Sequence, residues 1–344
     1  MVFPFPRIFF SFKKIPMTWL LIFINVFLFI AFLPQNNNFS SSMSEIIEDK
    51  YFYKTQAVLY KSYVENHPEF YGYFTKNILK LDWDSPIKSR IISSFAISDT
   101  RFTDNIFHET PIGDAVAYQF WKKDFNRLLE LQETSPNYSL GVFNQSSAIN
   151  YITYQFMHAS FGHLLSNMIF LLLFGALIEP LFGSLLLLIT YLASGVIAAQ
   201  SFLMVSESIN SPLIGASGAI SGLMALYCVA AFKKNIRYFY FLFIPRPEYM
   251  GFVYLPSWLL FVFWFMSDLS GYFSQVSEHS GVAYVAHLGG QLAGALVALT
   301  MLFLWKYFKR KEGQIKNIEA FGKVVPLTQV IEHSARKKLN KVSL

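Results

Sequence analysis

The amino-acid sequence predicts an all-α membrane protein, a bundle of six transmembrane helices with a mostly helical extramembrane insert between the first two. Composition is the first observation behind this prediction. The chain of 344 residues is 53% hydrophobic but only 15% charged, whereas soluble domains carry about 25% charged residues. The second observation is a series of six apolar segments, each close to the length needed to cross a bilayer.

The first apolar segment, Met17–Leu33, follows a short basic N-terminal segment, residues 1–16. No small-residue cleavage site comes after it, so we expect a retained span rather than a signal peptide. The stretch Tyr238–Tyr254 is aromatic but interrupted by prolines and charges, and we expect it to lie at the cytoplasmic membrane interface. The other five predicted spans are His163–Leu181, Ser184–Val205, Ser217–Phe232, Leu255–Ser270 and Val282–Trp305.

The polar insert, residues 34–157, has the composition of extramembrane chain. Its Asn/Ser-rich start, Asn36–Ser42, is typical of a linker. Apolar residues recur at roughly helical spacing from Ser44 to Pro68 and from Ala115 to Glu133, which predicts helices. Substrate recruitment and simple spacing remain equally open as roles for the insert.

Basic residues indicate how the bundle is oriented. Lys and Arg cluster before the first span, between the fourth and fifth, and after the sixth, where the basic tail, residues 306–344, begins. Because cytoplasmic loops carry an excess of basic residues, both termini are expected in the cytoplasm and the insert outside. We expect a multi-pass protein of a bacterial plasma membrane.

Polar residues collect near the external ends of three spans. Counting from Lys233 and Lys306 at about 1.5 Å per residue puts Ser217 and His287 at a similar depth, near the outer edge of a hydrocarbon core about 30 Å thick. His163 and Asn167, four residues apart, share one face of the second span. Each alone would be a packing or hydrogen-bonding residue, but together they indicate a site.

Glycines offer a way to bring the serine and the histidine together. Gly218 and Gly222 follow the serine on the fourth span, and Gly290 and Gly294 follow the histidine on the sixth. Two glycines four residues apart lie on one face of a helix, and such a face lets two helix backbones approach closely. We therefore predict that these two helices pack against each other.

A serine beside a histidine can act as a nucleophile, because imidazole accepts the hydroxyl proton near neutral pH. No acidic residue lies near His287 in the sequence, and Asp268 is expected to be a charge at a loop end. The sequence contains no His-Glu-x-x-His, so neither a metal ion nor another cofactor is expected.

Three motifs, in this order along the chain, resemble those of the rhomboid family of intramembrane serine proteases. The resemblance covers about Ile149–Trp305 and the first span. The family's His-x4-His-x3-Asn, Gly-x-Ser-Gly and Ala-His-x-x-Gly-x-x-x-Gly are matched by His158 to Asn167, by Gly215-Ala216-Ser217-Gly218 and by Ala286-His287-Leu288-Gly289-Gly290 with Gly294.

The resemblance implies a rhomboid-like catalytic core over residues 158–305 and an endopeptidase that cleaves membrane-anchored proteins near the outer membrane face. The roles it implies are nucleophile for Ser217, general base for His287, oxyanion stabilisation for His163, Asn167 and Ser217, and loop ordering for His158. One position departs from the family. Ser221 stands where many members place an aromatic residue against the histidine, so the base would be oriented differently or held by another aromatic.

Other classes of protein fit the sequence less well. A catalytically silent rhomboid-like protein that binds transmembrane segments is the main alternative, although the serine and histidine are both present. A transporter would carry polar residues along several spans rather than at one end. The expected partners are transmembrane protein substrates and the lipid bilayer, with no nucleic acid, because no basic face interleaved with aromatics lies on a soluble domain.

Overall fold

Helices form most of the structure, a computed structural model that describes residues 2–4, 11–71, 85–109, 113–143, 146–205, 212–241, 250–273 and 284–322. The first six helices are α1 (Pro16–Glu48), α2 (Lys50–Asn66), α3 (Pro86–Ser98), α4 (Thr100–Asn105), α5 (Ala115–Thr134) and α6 (Pro136–Leu140). The other six are α7 (Asn150–Thr153), α8 (Phe161–Phe182), α9 (Ser184–Leu203), α10 (Ser217–Ala230), α11 (Ser257–Phe273) and α12 (Tyr284–Gly322).

Each of the six predicted apolar segments is largely helical, which confirms the all-α membrane fold class. Leu255 and Pro256, at the start of the fifth predicted segment, are instead extended, and residues 282–283 of the sixth lie outside the described residues. Four helices are long and apolar enough to cross a bilayer: α1, α8, α9 and the Tyr284–Lys309 part of α12. Helix α10, with 14 residues, is shorter than the roughly 20 residues that a full crossing needs. It is short because an irregular segment, residues 212–216, precedes its first turn.

The first helix is longer than the sequence predicted. The prediction of a linker at Asn36–Ser42 is wrong, because these residues are helical. Helix α1 runs through Pro34 and this Asn/Ser-rich stretch to Glu48. Its last turns carry Ile46, which is buried in the core of the insert, with Met43 and Ile47 packed beside it. Tertiary packing therefore overrides the weak helix propensity of the polar residues.

The insert has a core of its own, formed by α2, α3, α4, α5 and the end of α1. The predicted helices Ser44–Pro68 and Ala115–Glu133 correspond to the end of α1 with α2 and to α5. Helices α3 and α4 were not predicted. Gln56 ties three of these helices together, because its amide accepts from the Trp121 indole (2.9 Å) and donates to the Ser93 carbonyl (2.9 Å).

Two strands lie between α10 and α11, β2 (Asn235–Phe241) and β3 (Met250–Pro256), and they pair antiparallel with Asn235 opposite Pro256. The N-terminal strand β1 (Val2–Pro4) adds to β2 to give the order β1-β2-β3. The described parts of the predicted interfacial connection, residues 238–241 and 250–254, are thus extended, which suits their aromatic composition. Residues 242–249 of this stretch lie outside the described residues. Ile236 and Tyr238 are buried against the helical bundle.

A buried carboxylate fixes the start of α1 against α8. Glu179 accepts hydrogen bonds from the backbone nitrogens of Met17 (2.8 Å) and Thr18 (2.9 Å) and from the Thr18 hydroxyl (2.7 Å). The Ser184 hydroxyl of α9 donates to the same carboxylate (2.6 Å). The first N–H groups of a helix lack partners within the helix, and a negative charge is favourable beside them. Glu179 therefore joins three helices at one point.

We expect Glu179→Ala to lower the thermal stability of the purified protein in detergent. Each buried donor left without an acceptor costs about 1–3 kcal/mol. Glu179→Gln keeps one acceptor oxygen and should fall between the wild type and Glu179→Ala. Glu133→Ala, which removes an exposed carboxylate from α5, is the control. Equal unfolding temperatures for Glu179→Ala and this control would contradict the role of Glu179.

Candidate active site

An irregular segment positions Ser217 at the first turn of α10. Gly215 has a positive φ of 116°, a region that favours glycine, and its N–H donates to the Tyr154 carbonyl (2.9 Å). Two residues earlier, Leu213 exchanges backbone hydrogen bonds of 2.8 and 3.0 Å with Val142. Backbone hydrogen bonds to Tyr154 and to Val142 thus fix the segment before Ser217 at two points.

Ser217 and His287 line one cavity of about 50 Å³. This volume is large enough for water, which needs about 10–15 Å³ measured in the same way. Asn167 and Ser221 add polar atoms to the wall of the cavity. Its apolar walls are formed by Phe170, Phe174, Ile220, Met224 and Trp264. The structure thus brings a hydroxyl, an imidazole and an amide together around one small space.

His163 and Asn167 lie at the Gly215 turn, as neighbours on α8. A Cβ on Gly215 would lie 2.7 Å from Cε1 of His163 and 3.9 Å from Nδ2 of Asn167, so only glycine leaves room for the imidazole. Nδ2 of Asn167 donates to the His163 carbonyl (2.9 Å), which leaves its second amide hydrogen unused by that bond. Of the two, Asn167 lines the cavity, and His163 packs against the Gly215 turn.

His158 is only 1% exposed and lies just before α8. Its ring packs edge-on against the His163 ring, with centroids 5.1 Å apart. Within the described part of the chain, neither ring nitrogen of His158 has a hydrogen-bond partner. Its contact with the predicted site is therefore through ring packing.

Asp268 was wrongly predicted to be a charge at a loop end. It is only 5% exposed, and its Oδ1 lies 3.0 Å from Nδ1 of His287. Nε2 of Gln291 donates to the other carboxylate oxygen (2.5 Å). His287 therefore has no acidic residue near it in the sequence, but it has one beside it in the folded structure. An ionisable residue inside an otherwise uncharged apolar segment was the signal that could have revealed it.

Glycines allow α10 and α12 to approach at the backbone. A Cβ on Gly290 would overlap the carbonyl oxygen of Gly218, and a Cβ on Gly294 would overlap that of Gly222. Gly218 and Gly222 also contact α9, because a Cβ there would overlap the side chains of Ala198 and Ser194 respectively. Ser217 and His287 lie next to these contacts in the sequence, so the glycine packing brings their side chains to the same cavity.

The fold and the cavity define a class, a polytopic helical membrane protein with a serine and a histidine on one cavity. The family model of the rhomboid domain matches residues 145–303, which include every residue that lines the cavity. Residues 145–303 are thus similar to the rhomboid domain, a match that covers less than half of the chain.

Individual proteins with rhomboid names are also similar to parts of the chain. The "Putative rhomboid protease YdcA" of Bacillus subtilis is 32% identical over 121 residues, which are 35% of this chain and 60% of that protein. Rhomboid-like protein 11, chloroplastic, of Arabidopsis thaliana is 42% identical over 77 residues, 22% of this chain and 27% of its own. The mitochondrial RHOMBOID-like protein 12 of the same plant is 30% identical over 175 residues, 46% of this chain and 48% of its own. The matches thus cover less than two thirds of each relative.

We expect Gly290→Ala to lower the stability of the bundle, because the added methyl group would meet the Gly218 carbonyl. Overpacking of this kind costs typically about 1–3 kcal/mol. Thermal unfolding in detergent is the measurement. Gly162→Ala is the control, since a Cβ at Gly162 would meet nothing within 4 Å. A Gly290→Ala protein as stable as the Gly162→Ala protein would contradict the close packing of α10 and α12.

Proposed function

We propose that this protein is an intramembrane serine endopeptidase, with Ser217 as nucleophile and His287 as general base. The observation that best supports the proposal is that these two side chains, from separate helices, line the same cavity. The similarity of residues 145–303 to the rhomboid domain adds weight to it. The substrates would be membrane-anchored proteins, cleaved near the outer membrane face.

The first half of the reaction is acyl transfer. The Ser217 oxygen attacks the carbonyl carbon of the scissile bond while its proton passes to Nε2 of His287, because Nδ1 is engaged by Asp268. The resulting imidazolium returns this proton to the nitrogen of the leaving segment as the carbon–nitrogen bond breaks. The products are a free amine and an ester between the substrate and Ser217.

The second half of the reaction hydrolyses this ester. A water molecule gives a proton to His287 as its oxygen attacks the ester carbon, and the bond to Ser217 then breaks. The serine oxygen recovers the proton, and the second product leaves with a new carboxyl group. The cavity volume of about 50 Å³ and the irregular chain before Ser217 suit this need for water, since irregular backbone at membrane depth is tolerated where it lines a wet cavity.

Negative charge on the substrate oxygen would be stabilised by donors around the Gly215 turn. Asn167 is the best placed side chain, because one of its amide hydrogens remains for a ligand and it lines the cavity. The Ser217 amide lies at the start of α10, where helix N–H groups are unpaired. His163, which packs against Gly215, would be a further donor.

Basic residues support an orientation with the cavity towards the outside. Lys233 and Lys234 follow α10 at the end opposite Ser217, and basic residues favour the cytoplasmic side. We infer that both termini lie in the cytoplasm.

Ser217→Ala and His287→Ala should each abolish cleavage of a purified single-span substrate, by at least about 10³-fold, because neither half of the pair works alone. A fluorophosphonate probe should label the wild type, should not label Ser217→Ala, and should label His287→Ala far more slowly. Ser166→Ala, which removes an exposed hydroxyl from α8, is the control. Cleavage and labelling that persist in Ser217→Ala would refute the protease, and a wild type that binds the substrate without cutting it would favour a silent rhomboid-like protein.

Asn167→Ala should lower kcat by about 10²–10³-fold and leave substrate binding nearly unchanged, because an oxyanion donor acts mainly in the transition state. Asn25→Ala is a matched control. Asn25 is also a buried asparagine whose amide donates to the carbonyl four residues earlier (2.7 Å), but it lies on α1, away from the cavity. Similar kcat values for the two variants would exclude Asn167 from the oxyanion site.

A further inference from the structure

We propose that Asp268 is a positioning residue that holds His287 in the tautomer able to take the proton from Ser217. The site would then be a serine–histidine–aspartate triad rather than a dyad. This inference rests on the proposed function of Ser217 and His287, and it concerns how the base is prepared.

One face of α12 supplies two donors to the Asp268 carboxylate. Nδ1 of His287 lies 3.0 Å from Oδ1, and Nε2 of Gln291 lies 2.5 Å from Oδ2. His287 and Gln291 are four residues apart, so they project from the same side of the helix, one turn from each other. A rotation of α12 would break both contacts, and the pair therefore fixes the angle at which the imidazole enters the cavity.

Hydrogen bonds to both oxygens of the Asp268 carboxylate bear on where the imidazole proton lies. Asp268 is 5% exposed and Gln291 is 1% exposed, and a buried carboxylate is costly unless it is paired and hydrogen-bonded. An ionised carboxylate is only an acceptor, and a side-chain amide nitrogen is only a donor. With both oxygens accepting, the proton of the neutral imidazole resides on Nδ1.

The consequence for the base is a single tautomer. A proton on Nδ1 leaves Nε2 with a lone pair, which is the form needed to accept the hydroxyl proton. When His287 takes up that proton, the neighbouring carboxylate stabilises the imidazolium without itself becoming protonated. Ser221 cannot orient the imidazole as an aromatic residue at this position would. The hydrogen bond between His287 and Asp268 of α11 would orient it instead.

A purely structural role is the competing explanation, since Asp268 also ties α11 to α12. Glu179 provides the matched comparison, because it is another buried carboxylate that joins helices of the bundle but lies away from the cavity. If both acted only by tying helices, their replacement would lower stability alike and spare the kcat of the folded fraction.

Cleavage kinetics test the catalytic consequence. Asp268→Asn and Asp268→Ala should lower kcat by about 10²–10⁴-fold with little change in KM, and Asp268→Glu should recover part of the loss. Glu179→Gln, assayed at equal amounts of folded protein, should keep the wild-type kcat. A wild-type kcat for Asp268→Ala would overturn the inference while leaving the protease intact, provided that Ser217→Ala is inactive. Equal losses of kcat in Asp268→Asn and Glu179→Gln would also overturn it.

Nitrogen NMR of histidine-labelled protein tests the tautomer without any need for activity. His287→Ala identifies the His287 signals among those of the 7 histidines. The wild type and Ser217→Ala should show a proton mainly on Nδ1, and Asp268→Ala should show a mixture or the opposite tautomer. An unchanged tautomer in Asp268→Ala would overturn the inference. A lost tautomer preference in a protein that never cleaves substrate would instead refute the proposed protease and keep the role of Asp268 in orienting the ring.

Discussion

The approach of α10 and α12 at their glycines is the constraint on which the candidate site depends. Neither helix carries both the hydroxyl and the imidazole, so the two groups can meet only if the backbones come close. Gly290 lies against the Gly218 carbonyl and Gly294 against that of Gly222, at distances that exclude any side chain. In a bilayer, where apolar contact with lipid competes equally with apolar contact between helices, small residues provide this closeness.

Much of the fold could be predicted because its signals are local. A long apolar segment, a pair of glycines or a helical spacing each lies within a single helix, and the six apolar helical segments follow from such signals. The failures concern information carried by distant parts of the chain. Asn36–Ser42 has the composition of a linker, but Ile46 beyond it is buried in the insert and extends the helix. Asp268 looks like an isolated charge until α12 brings His287 and Gln291 to it. The roles of Ser217, His287, His163, Asn167 and His158 remain predictions, although the cavity and the Gly215 turn bring several of them together.

Two buried carboxylates organise opposite parts of the bundle by the same physical rule. Each is removed from water, and each accepts hydrogen bonds from neighbouring helices. Glu179 binds backbone and hydroxyl donors at the start of α1 and has no ionisable partner among them. Asp268 instead binds an imidazole on the cavity wall. The chemical nature of the donor, more than the burial of the acid, separates a structural carboxylate from one with a proposed part in catalysis.

The backbone pairing of Val142 with Leu213 gives the insert a mechanical connection to the segment before Ser217. Asn150 reinforces the same region, because its amide donates to the Ser139 and Gly141 carbonyls. A truncated protein that begins after Val142 would lose not only the helices of the insert but also one of the two supports of this segment. Deletions or replacements in the insert that stop before Gly141 therefore keep the pairing of Val142 with Leu213. Larger ones remove this pairing together with the helices of the insert.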